Sequence, residues 1–155
     1  MECIQVARRC ARSPNGDILV AETRTGNLVR VTGPKVTDRK IVASGLGGPV
    51  GLAWAGTDAV YVSESCAGQV SRIDLKTGGK TLAAGKLETP EGVAIAPDGA
   101  LVVVEVAAKR VTRIDPNNGV RGAIAANLPL GQGYGPSLYR GITVSPSGIY
   151  VVTVS

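Results

Sequence analysis

The chain repeats itself. An apolar run ending in glutamate occurs three times, as Ile18-Leu19-Val20-Ala21-Glu22, Val60-Tyr61-Val62-Ser63-Glu64 and Leu101-Val102-Val103-Val104-Glu105, at intervals of 42 and 41 residues. Eight residues after each glutamate an arginine lies in a second apolar run: Leu28-Val29-Arg30-Val31, Val70-Ser71-Arg72-Ile73 and Val111-Thr112-Arg113-Ile114. Ahead of the glutamate runs stand Pro14-Asn15-Gly16, Pro97-Asp98-Gly99 and, in a partial further copy, Pro146-Ser147-Gly148. Proline presets φ for the second position of a turn and glycine accepts positive φ later in it, so these triplets are turns. Each is preceded by another short run, Gly92-Val93-Ala94-Ile95 and Gly141-Ile142-Thr143-Val144, with Gly51-Leu52-Ala53-Trp54 as the equivalent run in the second copy. The copies close with Asp74-Leu75-Lys76-Thr77-Gly78 and Asp115-Pro116-Asn117-Asn118-Gly119, followed by a fourth run such as Thr81-Leu82-Ala83-Ala84 or Ala123-Ile124-Ala125-Ala126.

Four short runs separated by turns, with no apolar recurrence at three and four residues, describe a four-stranded antiparallel unit rather than a helical one. Repeated at this period, such a unit is a β-propeller blade. The reading is therefore an all-β chain, a propeller fragment of about three and a half blades, at about 5–43, 49–84 and 90–127 with a half blade at 141–154. The run Ile149-Tyr150-Val151-Val152-Thr153-Val154 lacks the charge, proline or bulge that blunts an open sheet edge. Missing blades, or self-association through that edge, are the partners this implies, and the chain alone is expected to be poorly soluble or oligomeric.

Composition narrows the function classes. There is no Phe and only 3% aromatic residues, so the core must be built from Val, Ile, Leu and Ala. The formal charge is +5, but apart from Arg8, Arg9 and Arg12 the basic residues are scattered singly. Stacking aromatics interleaved with them are missing, which argues against nucleic acid. No apolar run is long enough for a membrane helix, and no signal peptide is visible, so compartment stays open. Cys3, Cys10 and Cys66 have no metal-type spacing and read as small buried or idle thiols, with a Cys3–Cys10 disulfide in an oxidising compartment as the alternative. Without histidine there is no Ser-His-Asp, Cys-His or paired-His arrangement.

The unit Pro90-Glu91-Gly92-Val93-Ala94-Ile95-Ala96-Pro97-Asp98-Gly99, continued by Val103-Val104-Glu105 and Val111-Thr112-Arg113-Ile114-Asp115, resembles one propeller superfamily. It is similar to the blades of NHL-repeat proteins, virginiamycin B lyase-like proteins and the regucalcin/gluconolactonase (SMP-30) group. The Glu-to-Arg spacing is most similar to the lyase-type blade. In the lyases the resemblance implies a catalytic histidine fourteen residues before the blade's Glu, with acidic neighbours holding magnesium. Glu105 matches that Glu, while Glu91 fills the histidine position. In the gluconolactonase group an Asn of Pro-Asn-Gly sits on a divalent cation, and Glu91 in Pro90-Glu91-Gly92 matches it in position. A carboxylate is a suitable oxygen ligand, but calcium takes six to eight.

Two sets of candidates follow. The repeated Glu22, Glu64 and Glu105 with Arg30, Arg72 and Arg113 are expected to be structural ion pairs. If Glu22 lies opposite Leu28, then Val20 faces Arg30, and Glu and Arg are diagonal neighbours on one face. Ligand or channel candidates are the places where copies differ: Glu91, which is also the metal candidate, against Val50 in the preceding copy, and Tyr134, Tyr139 and Arg140 in the insertion before the last copy. No cofactor is evident, and calcium or magnesium is an expectation only for a complete parent protein. The leading expectation is a scaffold or surface for a small-molecule or protein ligand within a larger NHL-like protein. Its rival is part of a divalent-metal hydrolase or lyase of the gluconolactonase or virginiamycin B lyase type, with essential residues elsewhere.

Overall fold

The structure, a computed structural model, describes residues 8–13, 16–32, 38–130, 140–145, 147–148 and 150–154. Its strands form three four-stranded antiparallel sheets and a two-stranded one, each in simple chain order. The first blade contains β1 (Arg8–Arg12), β2 (Ile18–Glu22), β3 (Asn27–Thr32) and β4 (Asp38–Ala43). The second contains β5 (Pro49–Trp54), β6 (Ala59–Glu64), β7 (Gln69–Asp74) and β8 (Lys80–Ala84). The third contains β9 (Pro90–Ile95), β10 (Leu101–Glu105), β11 (Arg110–Ile114) and β12 (Arg121–Ala125), and the last sheet β13 (Arg140–Val144) and β14 (Tyr150–Val154).

The apolar runs become strands that are buried because blades stack face to face. Leu19, Leu28 and Leu46 of the first blade pack on Val60, Val62 and Ile73 of the second. Val70 and Leu87 of the second meet Val93, Leu101 and Val103 of the third. On the third blade's other face, Val102, Val104 and Val111 pack with Ile142 and Val144 of the last. A sheet covered on both faces has no polar side, so β10 reads as an unbroken apolar run, every residue of it buried. Branched aliphatic side chains suit this thin layer between sheets, which explains a core that needs no phenylalanine.

Alternating chain direction gives each blade two ends. At one end lie the β2–β3, β6–β7 and β10–β11 turns together with the loops leading to the next blade. Backbone bonds join them: the N–H groups of Leu46, Leu87 and Leu128 donate to the carbonyls of Gly26, Gly68 and Lys109. Gly26 has φ 69°, and a Cβ there would lie 2.7 Å from the Leu46 carbonyl oxygen, so only glycine fits without a shift. At the other end lie the remaining turns, where the Leu75 N–H donates to the Asp58 carbonyl.

Both inner strands of the complete second and third blades are bulged in the same place. Val50 and Gly51 together oppose Ser63, and Glu91 with Gly92 opposes Val104, between otherwise regular pairs. Two residues against one is a β-bulge, which bends a strand and re-aims a side chain. The outermost strands carry a second set of bulges, at Val42, Ala83 and Ile124.

Candidate functional site

The glutamate column sits at the ends of β2, β6 and β10, and its carboxylates are held by their own blades and the loops that lead into them. Glu105 has no exposed surface. It accepts hydrogen bonds from the Glu88 N–H at 2.8 Å, from Arg110 Nε at 2.8 Å and Nη2 at 3.0 Å, and from the Thr112 hydroxyl. Glu64, equally buried, accepts from the Gly47 N–H at 2.6 Å, Gln69 Nε2 at 3.0 Å, Lys80 Nζ at 2.9 Å and the Ser71 hydroxyl. Glu22 is more open and takes bonds from the Thr25 hydroxyl at 2.9 Å and from Arg39.

Burial pushes the Glu64 and Glu105 carboxyls up. In Glu64 the bonds from Ser71, Gln69, the Gly47 amide and Lys80 outweigh it, and in Glu105 those from Arg110, Thr112 and the Glu88 amide do. Both stay ionised below the usual glutamate value. In Glu22 the bond from Thr25 is the largest influence and has the same lowering direction.

The expected pairing of this column with Arg30, Arg72 and Arg113 is corrected. The β2–β3 turn has four residues rather than five, so Glu22 faces Asn27 and Leu19 faces Arg30. The same register puts Gln69 opposite Glu64 and Arg110 opposite Glu105. One residue of slip sends a side chain to the opposite face of the sheet, so the column glutamates and arginines lie on different faces. Arg30 pairs instead with Asp17, and Arg113 with Asp98, both at the far ends of their blades. Arg72 is exposed and makes no ion pair among the described residues; Asp74 feels only its field. The true cations on the column are Arg39, Lys80 and Arg110. Arg121 occupies in β12 the position that Arg39 holds in β4, but Arg110 already fills the third carboxylate, so Arg121 bonds the Gly85 carbonyl at 2.8 Å.

Glu91 is carried on the β9 bulge, and only 1% of it is exposed, so it is a buried residue of the inner strand and not a surface one. Its backbone is fixed from the neighbouring blade. The Ser63 hydroxyl accepts from the Gly51 N–H at 2.7 Å and donates to the Glu91 carbonyl. Ser63 thus links the two bulges across the blade boundary, as the Thr23 hydroxyl links the first boundary by donating to the Pro49 carbonyl at 2.7 Å. These hydroxyl bridges were not anticipated from the sequence. Their signal is a serine inside an apolar run that elsewhere holds Ala21 or Val104.

Arg140 begins β13, with Gly141 following it as Gly92 follows Glu91, so the two positions correspond on adjacent inner strands that pack together. Its side chain, and Tyr134 and Tyr139 entirely, lie outside the described residues. Among the described residues no three His, Cys, Asp or Glu side chains assemble into a metal-holding group. Cys10 is a free, exposed thiol, which corrects a Cys3–Cys10 pairing, and Cys66 is disulfide-bonded, its partner outside the described residues. No described helix could cross a membrane.

No family model and no curated protein matches the sequence. Solved structures do. A virginiamycin B lyase from Staphylococcus aureus superposes with TM-score 0.75 at 19% identity, covering 96% of this chain and 49% of the other. A gluconolactonase from Xanthomonas campestris gives TM-score 0.72 at 14% identity, over 99% of this chain and 58% of the other. An auxiliary nutrient binding protein from Bacteroides thetaiotaomicron gives 0.71 at 15%, over 94% and 35%. The chain spans about half the length of the lyase and the gluconolactonase, 49% and 58%, and 35% of the binding protein. The likeness is one of fold: this chain is a set of β-propeller blades.

Proposed function

We propose that the chain is a propeller segment acting as a scaffold and binding surface within a larger NHL-like protein. The observation that supports this best is the complete internal use of the repeated glutamates. Each carboxylate is occupied by a hydroxyl and a cation of its own blade, and Glu64 and Glu105 also by an amide of the loop leading into it, so the column is tied up in holding loops rather than offered to a ligand. A carboxylate recruited for catalysis usually has one distinct environment, whereas Glu64 and Glu105 repeat nearly the same one. Among the compared structures, one is a nutrient-binding protein, so the fold is used for binding as well as for reactions.

A second reading is favoured by one feature. Glu91 is a buried carboxylate on a bulge of an inner strand, at the position where the lyase-type resemblance implies the base. On this reading it would serve a divalent-metal hydrolase or lyase, as a hard oxygen ligand for calcium or magnesium. Calorimetric titration of the full chain with Ca2+ and Mg2+, repeated on Glu91→Gln, separates the two. The scaffold reading predicts no stoichiometric binding in either protein. Stoichiometric binding that Glu91→Gln abolishes would replace it with the metal-dependent reading.

A further inference from the structure

The three cysteines are not equivalent. Cys10 is a free thiol and Cys66 is disulfide-bonded, and the one cysteine that remains is Cys3. The described backbone on either side agrees with a bridge between Cys3 and Cys66. β1 begins at Arg8, opposite Glu22, which places its leading end at the glutamate end of the first blade. Cys66 lies in the β6–β7 turn, at the same end of the second blade. Sheets packed face to face lie about 10 Å apart, and the five residues from Cys3 to Arg8 reach about 17 Å, enough to cross that one boundary. Cys10 is placed differently. Leu19 packs towards the second blade, so by strand alternation Val20 and its partner Cys10 face away from it.

A second, independent observation shows what a bridge at this place would do. The inner strands β5 and β9 are held by burial: Pro49, Val50 and Gly51 are buried, as are five of the six residues of β9. β1 has no such hold. Cys10 and Arg12 are exposed, Ala11 is half-buried, and the strand pairs with β2 alone. A strand with little apolar surface to bury is among the first to open. Cys66, by contrast, is fixed. Its N–H donates to the Gly47 carbonyl at 3.0 Å, the Ser65 N–H donates to the Gly48 carbonyl at 2.9 Å, and a Cβ on Gly48 would collide with the Cys66 sulfur. The same loop is tied to the first blade by the Leu46 N–H, which donates to the Gly26 carbonyl at 3.0 Å. Cys66 is therefore a firm anchor at the boundary between two blades, and it is exposed to solvent.

We infer that Cys3 and Cys66 form a redox-sensitive staple that holds the inner strand of the first blade beside the second. The cross-link closes a loop that contains β1 to β6. Closure removes conformations from the unfolded chain and gives β1 the hold that its side chains do not supply. Forming the bridge takes two electrons and two protons from the two thiols. A disulfide donor such as oxidised glutathione accepts them and becomes two thiols, and a dithiol reductant reverses the exchange. The staple suits a chain that folds under oxidising conditions. Its reduction frees β1 while the blades behind it keep their cores. This inference stands apart from the binding-surface reading, and neither depends on the other.

Two experiments on the full chain, purified without reductant, test it. In the first, free thiols are blocked with N-ethylmaleimide and the unreduced protein is digested with trypsin for mass spectrometry. Cleavage after Arg8, Arg9, Arg12, Lys40 and Arg72 puts the cysteines on separate peptides, and the expected cross-linked pair is Met1–Arg8 with Ile41–Arg72. A cross-link that includes the Cys10–Arg12 peptide, or a Met1–Arg8 peptide found alone and blocked, overturns the inference. In the second, hydrogen exchange and thermal melting are compared with and without dithiothreitol. Reduction is expected to speed exchange in β1 by about tenfold or more, with β9 to β11 unchanged, and to lower the melting temperature by roughly 5–10 °C. Cys10→Ser is expected to respond as the wild type does, and Cys66→Ser to show the reduced pattern in both buffers. Exchange in β1 that ignores the reductant, or that rises equally in the third blade, overturns the inference.

Discussion

Replacing Glu105 by alanine removes one acceptor from four donors at once, and the structure sets the size of the loss. Arg110 is 35% exposed in its side chain and can turn to water or towards Glu88, so its separation contributes little. The Thr112 hydroxyl and the Glu88 amide cannot be rehydrated so readily, because Thr112 is only 3% exposed and the amide points into the blade. Each buried donor left without an acceptor costs roughly 1–3 kcal/mol. Part of this is recovered by rotation of the hydroxyl, and part is added back by the space the side chain leaves. The expected total is about 3–4 kcal/mol, in line with the roughly 3–5 kcal/mol for breaking a buried ion pair. Glu22→Ala provides the contrast. Its partners Thr25 and Arg39 are exposed, and the expected cost is about 1 kcal/mol or less. Guanidinium unfolding measured by far-UV circular dichroism, and by the single tryptophan Trp54, reads both. Glu105→Ala should lower the midpoint by roughly 1 M with little change of slope. Equal small losses for the two variants would refute the claim that the column is graded by burial.

Four other outcomes follow from the same geometry. Because the Glu64 and Glu105 carboxyls are held below their ordinary 4.5, their contribution is full above that pH and is lost as pH falls through the folded values; acid titration should show the stability gap between wild type and Glu105→Gln closing below about pH 4.5. Gly51→Ala should destabilise by about 2 kcal/mol or more in thermal melting, since its Cβ would collide with the Glu91 carbonyl and lie 2.8 Å from the Ser63 hydroxyl oxygen. Ser63→Ala should cost about 2 kcal/mol and loosen protection of the Gly51 amide in hydrogen exchange, because Gly51 N–H and Glu91 C=O both lose a partner. A thiol titration of the denatured, unreduced chain should find one free thiol, since Cys10 is free and a bridge at Cys66 uses two of the three cysteines.

The blades were legible because their marks are local. Turn triplets and apolar runs in a fixed order carry the strand pattern in the residues themselves, and the structural likeness to propellers agrees with that reading. Partner assignment was not legible, because it depends on a single residue of register. A four-residue turn in place of five moved Arg30 to the far face and brought forward Arg39, which sits on a different strand altogether. β1, Arg-Arg-Cys-Ala-Arg, has no apolar alternation to announce it and is identified only by its pairing with β2. Glu91 stood out as a departure from Val50, but its place on a bulge and the bond its carbonyl accepts from a serine on the neighbouring blade are not visible in its own segment.

The central claim is that the repeated glutamates are held by hydrogen bonds and ion pairs from the chain itself. Thermal unfolding of the wild type, Glu64→Ala and Glu105→Ala in millimolar Ca2+, millimolar Mg2+ and EDTA tests it most directly. The account predicts melting temperatures independent of the ion in all three proteins, with the two variants lowered by the same amount in every buffer. A melting temperature that rises with Ca2+ or Mg2+ in the wild type and no longer responds in either variant would contradict it.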